Sequence, residues 1–213
     1  MCSSDLNLRK GIVPARDWAA ALGVLRAPLG VHAILGNHDW WDDHEAQARR
    51  AGPIQARRAL EEAGIPVYEN DVLRLTKDGQ PFWIAGLGDQ WAFNSPRRGR
   101  QRMGVDDLEG MLAKVTDDAP VILMAHEPDI FPVVPKRVSL TVCGHTHGGQ
   151  VVLFGKAFVV PSRYGERFVY GHIVEENRDL VVTCGLGCSG LPIRFGMPPE
   201  IALVELGGEI PQA

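Results

Sequence analysis

The stretch Val142-Cys143-Gly144-His145-Thr146-His147-Gly148-Gly149-Gln150 places two imidazoles two residues apart, between an apolar run and a pair of glycines. A buried strand over residues 139–143 that ends in such a turn presents both rings with little bulk around them, and neutral imidazole is the commonest protein ligand for transition metals. The stretch therefore predicts a metal-binding loop. An isolated His-x-His pair is more often an ordinary exposed turn, so the prediction depends on other residues.

Two further buried strands end in polar turns that carry histidine. The strand over 31–35 runs into Gly36-Asn37-His38-Asp39, and the strand over 121–124 runs into Ala125-His126-Glu127-Pro128-Asp129. One histidine at a strand end is usually a hydrogen-bonded turn residue, but open α/β sheets collect their sites at the carboxyl ends of strands. Three such turns predict a single convergent site.

The rest of the chain shows helix and strand patterns in alternation and then mostly strands. Apolar spacing predicts a helix from Pro14, a helical pair over 42–64, a helix around Leu108, and strands over 72–76, 82–85, 151–154, 168–173, 180–184 and 201–206. This order favours a layered α/β architecture with mixed sheets over a purely parallel sheet. At 213 residues the chain fits a single domain over 1–213, in which residues 1–13 are expected to be poorly ordered.

Composition argues against two classes of protein. The formal net charge is −4 and no basic stripe is present, so no nucleic-acid-binding surface is evident. The longest apolar runs are far shorter than the roughly 20 residues of a membrane helix, so we expect no membrane span in this chain. The 4 cysteines have no CxxC spacing and are expected to be free thiols or core residues.

The three histidine-bearing turns resemble the last three signature motifs of the calcineurin-like metallophosphoesterases. These motifs are GNHD at 36–39, AHEPD at 125–129 and GHTHGGQ at 144–150. The pair Trp40-Trp41 and the tail over 185–201 are similar to the YkuE/YaeI-like branch, and the resemblance covers nearly the whole chain. It implies an α/β (α+β layered) fold, a four-layer metallophosphoesterase β-sandwich flanked by helices.

The resemblance also implies a centre of two divalent metal ions, Mn, Fe or Zn. Asn37, His126 and His145 would ligate one ion, and His147 would help to ligate the other. A hydroxide activated by the two ions would then hydrolyse a phosphomonoester or a phosphodiester. The neutral ligands would leave the centre positive enough to attract a phosphate anion.

Further residues would surround the phosphoester in a protein of this family. His38 would donate a proton or stabilise charge, with Asp39 orienting it, and the alternative for His38 is a residue that only orients a metal ligand. Tyr164, Arg167 and Arg194 lie in loops that the family places at the rim of the site, where they would contact substrate. Exposed loop residues of these types are more often structural.

The chain departs from the family at its start. The family's first two motifs are an Asp-x-His and a Gly-Asp, and neither is intact in the 35 residues before Gly36. Ser4-Asp5-Leu6 stands where the Gly-Asp is expected, so Asp5 would be the bridging carboxylate unless it is a coincidental acidic residue. Asp89 lies downstream of the GNHD motif and is expected to cap a turn. We therefore expect an N-terminally truncated enzyme that binds one metal ion fully and the second weakly.

The implied partner is a small-molecule or lipid phosphoester, and the implied location is cytoplasmic, with membrane association in a full-length parent. Three alternatives stay open. The chain could be a non-catalytic metal-binding relic or scaffold, a hydrolase with a single metal ion, or a hydrolase of a lipid-linked or nucleotide-sugar phosphoester at a membrane. Metal content separates the relic from the two-metal enzyme.

Overall fold

The structure, a computed structural model, describes residues 13–93 and 103–207. The predictions for Asp5 and for the order of the first residues fall on residues 1–12 and therefore lie outside the described ranges. Cys143, Cys184 and Cys188 are free thiols, as predicted, and Cys2 lies outside the described ranges.

Four short helices make up most of the amino-terminal part. They are α1 (Ala15–Leu22), α2 (Asn37–Asp42), α3 (His44–Arg49) and α4 (Gln55–Glu62). The predicted helix after Pro14 is α1, and the predicted helical pair is α3 with α4, which Gly64 closes with a φ of 81°. Buried alanines and leucines on these helices, such as Ala19 and Leu60, pack into one hydrophobic cluster.

A mixed six-stranded sheet makes up the second part. The described strands are β1 (Asp71–Lys77), β2 (Gln80–Gly86), β3 (Val121–Met124), β4 (Leu140–Cys143), β5 (Val152–Leu153), β6 (Lys156–Ala157), β7 (Gly171–Glu175) and β8 (Arg178–Val182). All of them except the short hairpin of β5 and β6 belong to this sheet. The order across the sheet is β1-β2-β3-β4-β8-β7, with β5 and β6 apart from it. Strands β2, β3, β4 and β8 are parallel to one another, and each edge strand is antiparallel to its neighbour. Helix α5 (Leu108–Leu112) packs on the same core, so the mixed α/β architecture is confirmed.

The strand predicted over 31–35 is reduced to the bridge residues Ala33 and Ile34, and among the described residues Ala33 pairs in parallel with Val67. Within the described ranges, a single extended sheet therefore carries the fold. Phe168 lies in a 3-10 turn (Gly165–Phe168), and the strand predicted to start there begins only at Gly171.

The prediction of a strand over 201–206 is wrong. These residues are irregular, and the side chains of Ile201 and Leu203 are 79% and 87% exposed. Alternating apolar residues favour a strand only where a neighbouring strand can pair with their backbone groups. In the described part of the chain, no strand pairs with this segment.

The parallel strands determine where a site can form. Strands β2, β3 and β4 end at the same edge of the sheet, and the polar segments after Gly86, Met124 and Cys143 leave from that edge. Across residues 13–93 and 103–207, no helix has the length and apolar character needed to cross a membrane.

Candidate metal centre

Parallel pairing of β3 with β4 brings His126 and His145 together. Met124 lies beside Val142 in the sheet, and the backbone N–H of Gly144 donates to the carbonyl of His126 at 3.1 Å. The two turns therefore leave the sheet side by side. Nδ1 of His145 lies 3.1 Å from Nε2 of His126, and both side chains are buried.

Asn37 reaches the same point from another part of the chain. It is the first residue of α2, directly after the segment that bridges to Val67 through Ala33. Its buried side-chain oxygen lies 3.0 Å from Nε2 of His126. The structure therefore joins three residues of the predicted ligand set at hydrogen-bond distances.

The ring of His145 is held in one orientation. Its Nε2 lies 3.0 Å from the carbonyl oxygen of Pro161, and because a carbonyl only accepts, this nitrogen carries the hydrogen. The lone pair is then on Nδ1, the atom that faces His126. The ring of Trp91 packs against His145 edge to face, with centroids 4.4 Å apart. An imidazole fixed by a carbonyl at its second nitrogen is the usual arrangement of a metal-ligating histidine.

The loop after β4 has an unusual backbone. His145 and His147 have φ values of 69° and 51°, and Gly148 and Gly149 have φ values of 61° and 81°. Residues with side chains rarely adopt this left-handed region, and such strain is concentrated at functional sites. The backbone of this loop supports its interpretation as a ligand loop.

Charge and burial keep the imidazoles neutral. Burial lowers the pKa of His126 well below its ordinary value, and the nearby charges of His145, His147 and His38 lower it further. Burial also lowers the pKa of His147, to about 4, with smaller effects from the charges of Arg194 and His38. Neutral imidazole is the form that ligates metal, so these histidines are ready to bind at neutral pH.

His38 lies at the edge of this cluster and is half-buried. Its Nε2 is 3.4 Å from the hydroxyl of Ser189, and its ring packs on Trp41 with centroids 5.1 Å apart. Asp39 is buried, and its Oδ2 accepts a hydrogen bond of 2.8 Å from the backbone N–H of Gly36. That bond caps α2. The orientation of His38 by Asp39 stays a prediction.

Glu127 is a candidate ligand to which sequence reasoning gave no role. Ligand atoms of His126, Glu127 and His145 all lie within 4.8 Å of one another, so a small side-chain shift would bring all three to one metal ion. Oε2 of Glu127 accepts hydrogen bonds from the backbone and side-chain nitrogens of Gln90, at 3.1 and 3.3 Å. The residue directly follows His126 within a recognised motif, and only its three-dimensional position marks it.

Asp89 lies against Glu127 at the end of β2. Its Oδ1 accepts a hydrogen bond of 2.7 Å from the N–H of Trp91, so the predicted turn cap is confirmed. Burial raises the pKa of Asp89 well above its ordinary value, and the charge of Glu127 adds to this. Burial raises the pKa of Glu127 to about 7, although a hydrogen bond with Asp89 lowers it. Each of these two buried carboxyl groups therefore favours its protonated form more strongly than a carboxyl group in water does.

Two residues predicted to contact substrate are held by other partners. The guanidinium of Arg167 makes two hydrogen bonds to Glu175, at 2.8 and 2.6 Å, and lies over the ring of Phe168. Tyr164 packs edge to face on Phe168. Neither contact involves the histidines, and a role of Tyr164 and Arg167 in substrate binding stays a prediction.

Arg194 does lie at the cluster. Its Nη2 is 3.4 Å from Nδ1 of His147, and the guanidinium donates to several carbonyls of the surrounding loop, including that of Cys184 at 2.7 Å. Arg194 therefore ties the loop over 184–197 to His147. A contact between this arginine and substrate stays a prediction.

A cavity of about 580 Å³ lies beside His145. Two of its lining residues, Trp91 and Pro161, are the ones that contact the His145 ring. Its lining residues are Gln90, Trp91, Gly104, Asp106, Asp129, Val160, Pro161, Ser162 and Arg163. Sequence reasoning missed Arg163, because nothing in the local pattern distinguishes it from Arg167.

The chain is similar in sequence to known metallophosphoesterases. The chain is 32% identical over 184 residues to an uncharacterized metallophosphoesterase, YkuE, of Bacillus subtilis, covering 85% of this chain and 58% of that protein. It is 30% identical over 191 residues to an uncharacterized metallophosphoesterase of Aquifex aeolicus, covering 90% of this chain and 66% of that protein. The chain belongs to the calcineurin-like metallophosphoesterases. The resemblance carried by the three motifs is therefore confirmed.

The similarity extends beyond bacteria. A putative metallophosphoesterase of Caenorhabditis elegans, F40B5.2, is 29% identical over 211 residues, and these cover 94% of this chain and 40% of that protein. The chain thus spans between 40% and 66% of the lengths of these three relatives. No family model matches the chain. No solved structure matches it either. Metallophosphoesterases are hydrolases that act on phosphoesters with divalent metal ions.

Proposed function

We propose that this chain hydrolyses phosphoesters with the help of bound divalent metal ions. The convergence of Asn37 Oδ1, His126 Nε2 and His145 Nδ1, in steps of 3.0 and 3.1 Å, carries the proposal. Ligand bonds to a first-row ion such as Zn²⁺ are about 2.0–2.1 Å long, so neighbouring ligand atoms on one ion lie roughly 3 Å apart. Oδ1 of Asn37 and Nδ1 of His145 each already have that spacing from Nε2 of His126.

The donor set fits such ions in its chemistry as well. Asn37, His126 and His145 would hold one ion, with a carboxylate from Glu127 or from Asp5, and His147 would contribute to a second. Manganese, iron and zinc all accept this combination of imidazole and oxygen ligands. When bound, the ions would activate water and stabilise charge on the phosphoryl oxygens.

The chain's own side chains would supply the remaining functions. His38 is half-buried beside the cluster, where it can hold a proton for the leaving alcohol, and the ring of Trp41 and the hydroxyl of Ser189 position it. Proton transfer of this kind contributes roughly 10²–10⁴-fold to rate. Arg194 adds a positive charge next to His147, which would attract a phosphate anion to this part of the site.

The proposed substrate is a small phosphoester, either a monoester or a diester. One relative, from Danio rerio, is named a transmembrane protein with a metallophosphoesterase domain, and it is 29% identical to this chain over 201 residues. That name is compatible with a reaction near a membrane. A lipid-linked substrate and a cytoplasmic, membrane-associated setting stay predictions of the sequence alone.

The test is a hydrolysis assay on chelator-treated protein, with bis(p-nitrophenyl) phosphate and p-nitrophenyl phosphate as substrates. We expect no turnover without metal, turnover after addition of Mn²⁺, and loss of both turnover and metal in a His126→Ala/His145→Ala variant. His172→Ala is the control, because His172 is exposed and paired with Asp179.

Metal content, measured alongside turnover, distinguishes the alternatives. Two bound ions with turnover support the two-metal enzyme, and one bound ion with turnover supports a hydrolase with a single metal ion. Bound metal with no turnover of either ester would contradict the proposal and favour a metal-binding relic or scaffold. Protein that binds no metal would overturn the proposal entirely.

A further inference from the structure

We propose that the cavity lined by Trp91, Asp106 and Arg163 binds the alcohol part of the phosphoester, and that this alcohol is neutral and polyhydroxylated, like a sugar or glycerol. The inference deepens the proposed function and rests on it.

The position follows from contacts with one proposed ligand. Trp91 lies against one side of the His145 ring, and the carbonyl of Pro161 bonds to Nε2 of the same ring. Both residues also line the cavity. Trp91 also borders the proposed proton donor, because its carbonyl accepts a hydrogen bond of 2.8 Å from Nε1 of Trp41, the ring on which His38 packs. The alcohol of a phosphoester bound at the histidines could therefore extend past Trp91 into the cavity.

Asp129 is not available to a ligand. Its carboxylate already accepts hydrogen bonds from the hydroxyl of Ser162 at 2.5 Å, from the N–H of Arg163 at 3.0 Å and from Nε of Arg163 at 3.2 Å. Its side chain is only 2% exposed. Asp129 therefore acts as an anchor that sets the direction of the Arg163 side chain.

Arg163 and Asp106 line the cavity and have side-chain atoms that can still form hydrogen bonds to a ligand. The Arg163 side chain is 64% exposed, and in the described part of the chain only its Nε makes a side-chain hydrogen bond, so its terminal nitrogens can donate to a ligand. Asp106 offers a carboxylate as an acceptor on the same cavity. Burial raises the pKa of Asp106, and the charge of Arg163 opposes this, so the two groups lie within electrostatic range of each other. A hydroxyl group both donates and accepts, and can therefore satisfy both residues.

The same lining disfavours other ligands. Among the described lining residues, two carboxylates stand against one guanidinium, and this excess of negative charge disfavours a second phosphate or a carboxylate. Trp91 is buried, with 6% of its surface exposed, so it offers no open face on which a nucleobase could stack. An alkyl chain would leave the charged groups of Asp106 and Arg163 desolvated without partners. A neutral group rich in hydroxyls remains.

Arg163 also differs from the arginine that the sequence suggested. Arg167 is only four residues further along, but both sides of its guanidinium fork are taken by Glu175. Arg163 keeps its terminal nitrogens for a ligand because its anchor, Asp129, engages only its Nε. The structure therefore assigns the sugar-contacting position to Arg163.

The test measures binding of the alcohol itself, separately from catalysis. Ligand-observed saturation-transfer NMR on metal-free protein would compare methyl α-glucoside with cyclohexanol, which has a similar ring and one hydroxyl. We expect saturation transfer from the protein to the glucoside, and no saturation transfer above background to cyclohexanol. Asp106→Asn and Arg163→Ala should each weaken glucoside binding by about tenfold, the usual effect of losing a hydrogen bond to a charged group.

Two further variants sharpen the comparison. Arg74→Ala is the matched control, since Arg74 is an exposed arginine paired with Asp117 on the far strand β1. Arg167→Ala tests the competing arginine. Binding that is weakened by Arg167→Ala and untouched by Arg163→Ala would overturn the assignment, and equal transfer to cyclohexanol and glucoside would overturn the ligand class.

The outcome does not depend on how well the variants fold, because the glucoside and cyclohexanol comparison uses the parent protein. Failure of the inference is also distinct from failure of the proposed function. Metal-dependent hydrolysis without any glucoside binding would overturn the inference alone. Glucoside binding in a protein that never hydrolyses a phosphoester would overturn the proposed function, and with it the substrate interpretation of the cavity.

Discussion

The side-chain oxygen of Asn37 lies 3.0 Å from Nε2 of His126, although the two residues are 89 positions apart in the chain. Asn37 opens α2, which packs with the helical cluster, and His126 follows β3, which belongs to the sheet core. The candidate metal centre therefore lies where the two hydrophobic clusters meet. Folding of both is required to bring the donors together.

His145 should be essential for metal binding. Replacement with alanine removes the Nδ1 donor that faces His126, and we expect the affinity for Mn²⁺ to fall by more than about 100-fold, beyond the roughly 10–100-fold that loss of an outer partner costs. Isothermal titration of chelator-treated protein measures this. His172→Ala, which alters an exposed imidazole, should bind as the parent does. Equal affinities in the two variants would remove His145 from the ligand set.

His38 should affect turnover and not metal affinity. In His38→Ala the proton donor is lost while Asn37, His126 and His145 keep their positions, so we expect the turnover number to fall by roughly 10²–10⁴-fold with bound metal unchanged. Steady-state hydrolysis of bis(p-nitrophenyl) phosphate and metal analysis of the same samples provide both readouts. His44→Ala, on the exposed start of α3, is the control. Undiminished turnover in His38→Ala would rule out His38 as the proton donor.

Gly149 should tolerate no side chain. Its φ is 81°, and an added Cβ would lie 2.3 Å from the Cβ of Ala157, so Gly149→Ala forces the ligand loop to move. Gly155 is a matched control in the neighbouring hairpin, with a φ of 77° and no atom within 4 Å of an added Cβ. The left-handed backbone alone costs about 1–2 kcal/mol in Gly155→Ala.

We expect Gly149→Ala to lose more free energy of unfolding than Gly155→Ala in urea titrations, and to bind Mn²⁺ more weakly. The clash acts directly after His147 and Gly148, whereas Gly155 lies at the tip of the hairpin between β5 and β6. Identical losses in the two variants, with metal affinity intact, would show that the loop accommodates the methyl group.

Acid should destabilise the metal-free protein through His147. Burial and the charges of Arg194 and His38 lower its folded pKa to about 4, against an ordinary value of 6.5. Between these pH values the unfolded chain binds one more proton at this residue than the folded protein does. Because one pH unit corresponds to about 1.4 kcal/mol, His147 removes up to about 3 kcal/mol from the free energy of unfolding as pH falls from 6.5 to 4.

Glu127 acts in the opposite direction, so a variant is needed to separate the two. Its folded pKa is raised to about 7, and its contribution is complete below its unfolded pKa and lost as pH rises through 7. As pH falls from 7.5 to 4.5, we expect the free energy of unfolding of His147→Gln to rise by about 2–3 kcal/mol relative to that of the parent. Urea unfolding with chelator present measures this difference. A difference between the two proteins that does not change with pH would contradict the lowered pKa of His147.

Much of the fold could be predicted from local pattern. The strand over 121–124 and the helix after Pro14 were found because continuous apolar runs and helical spacing are local signals. The segment over 201–206 carries an equally strong pattern and is not a strand. Pairing is a long-range property, and apolar alternation cannot show whether a partner strand is within reach.

The sequence by itself determined the types and order of the donors. Asn37, His126 and His145 each follow an apolar segment and a small residue, and this local combination marks a turn at a strand end. Local chemistry was enough here, because the ligand types and the turns that present them are both encoded within a few residues.

Only the tertiary structure decided which other side chains face the centre. It placed Glu127 within reach of both histidines, and it directed Arg163 toward the cavity by pairing it with Asp129, while Glu175 took Arg167. The direction of a long charged side chain depends on which opposite charge the fold brings beside it. That contact joins residues distant in the chain, so no local pattern contains it.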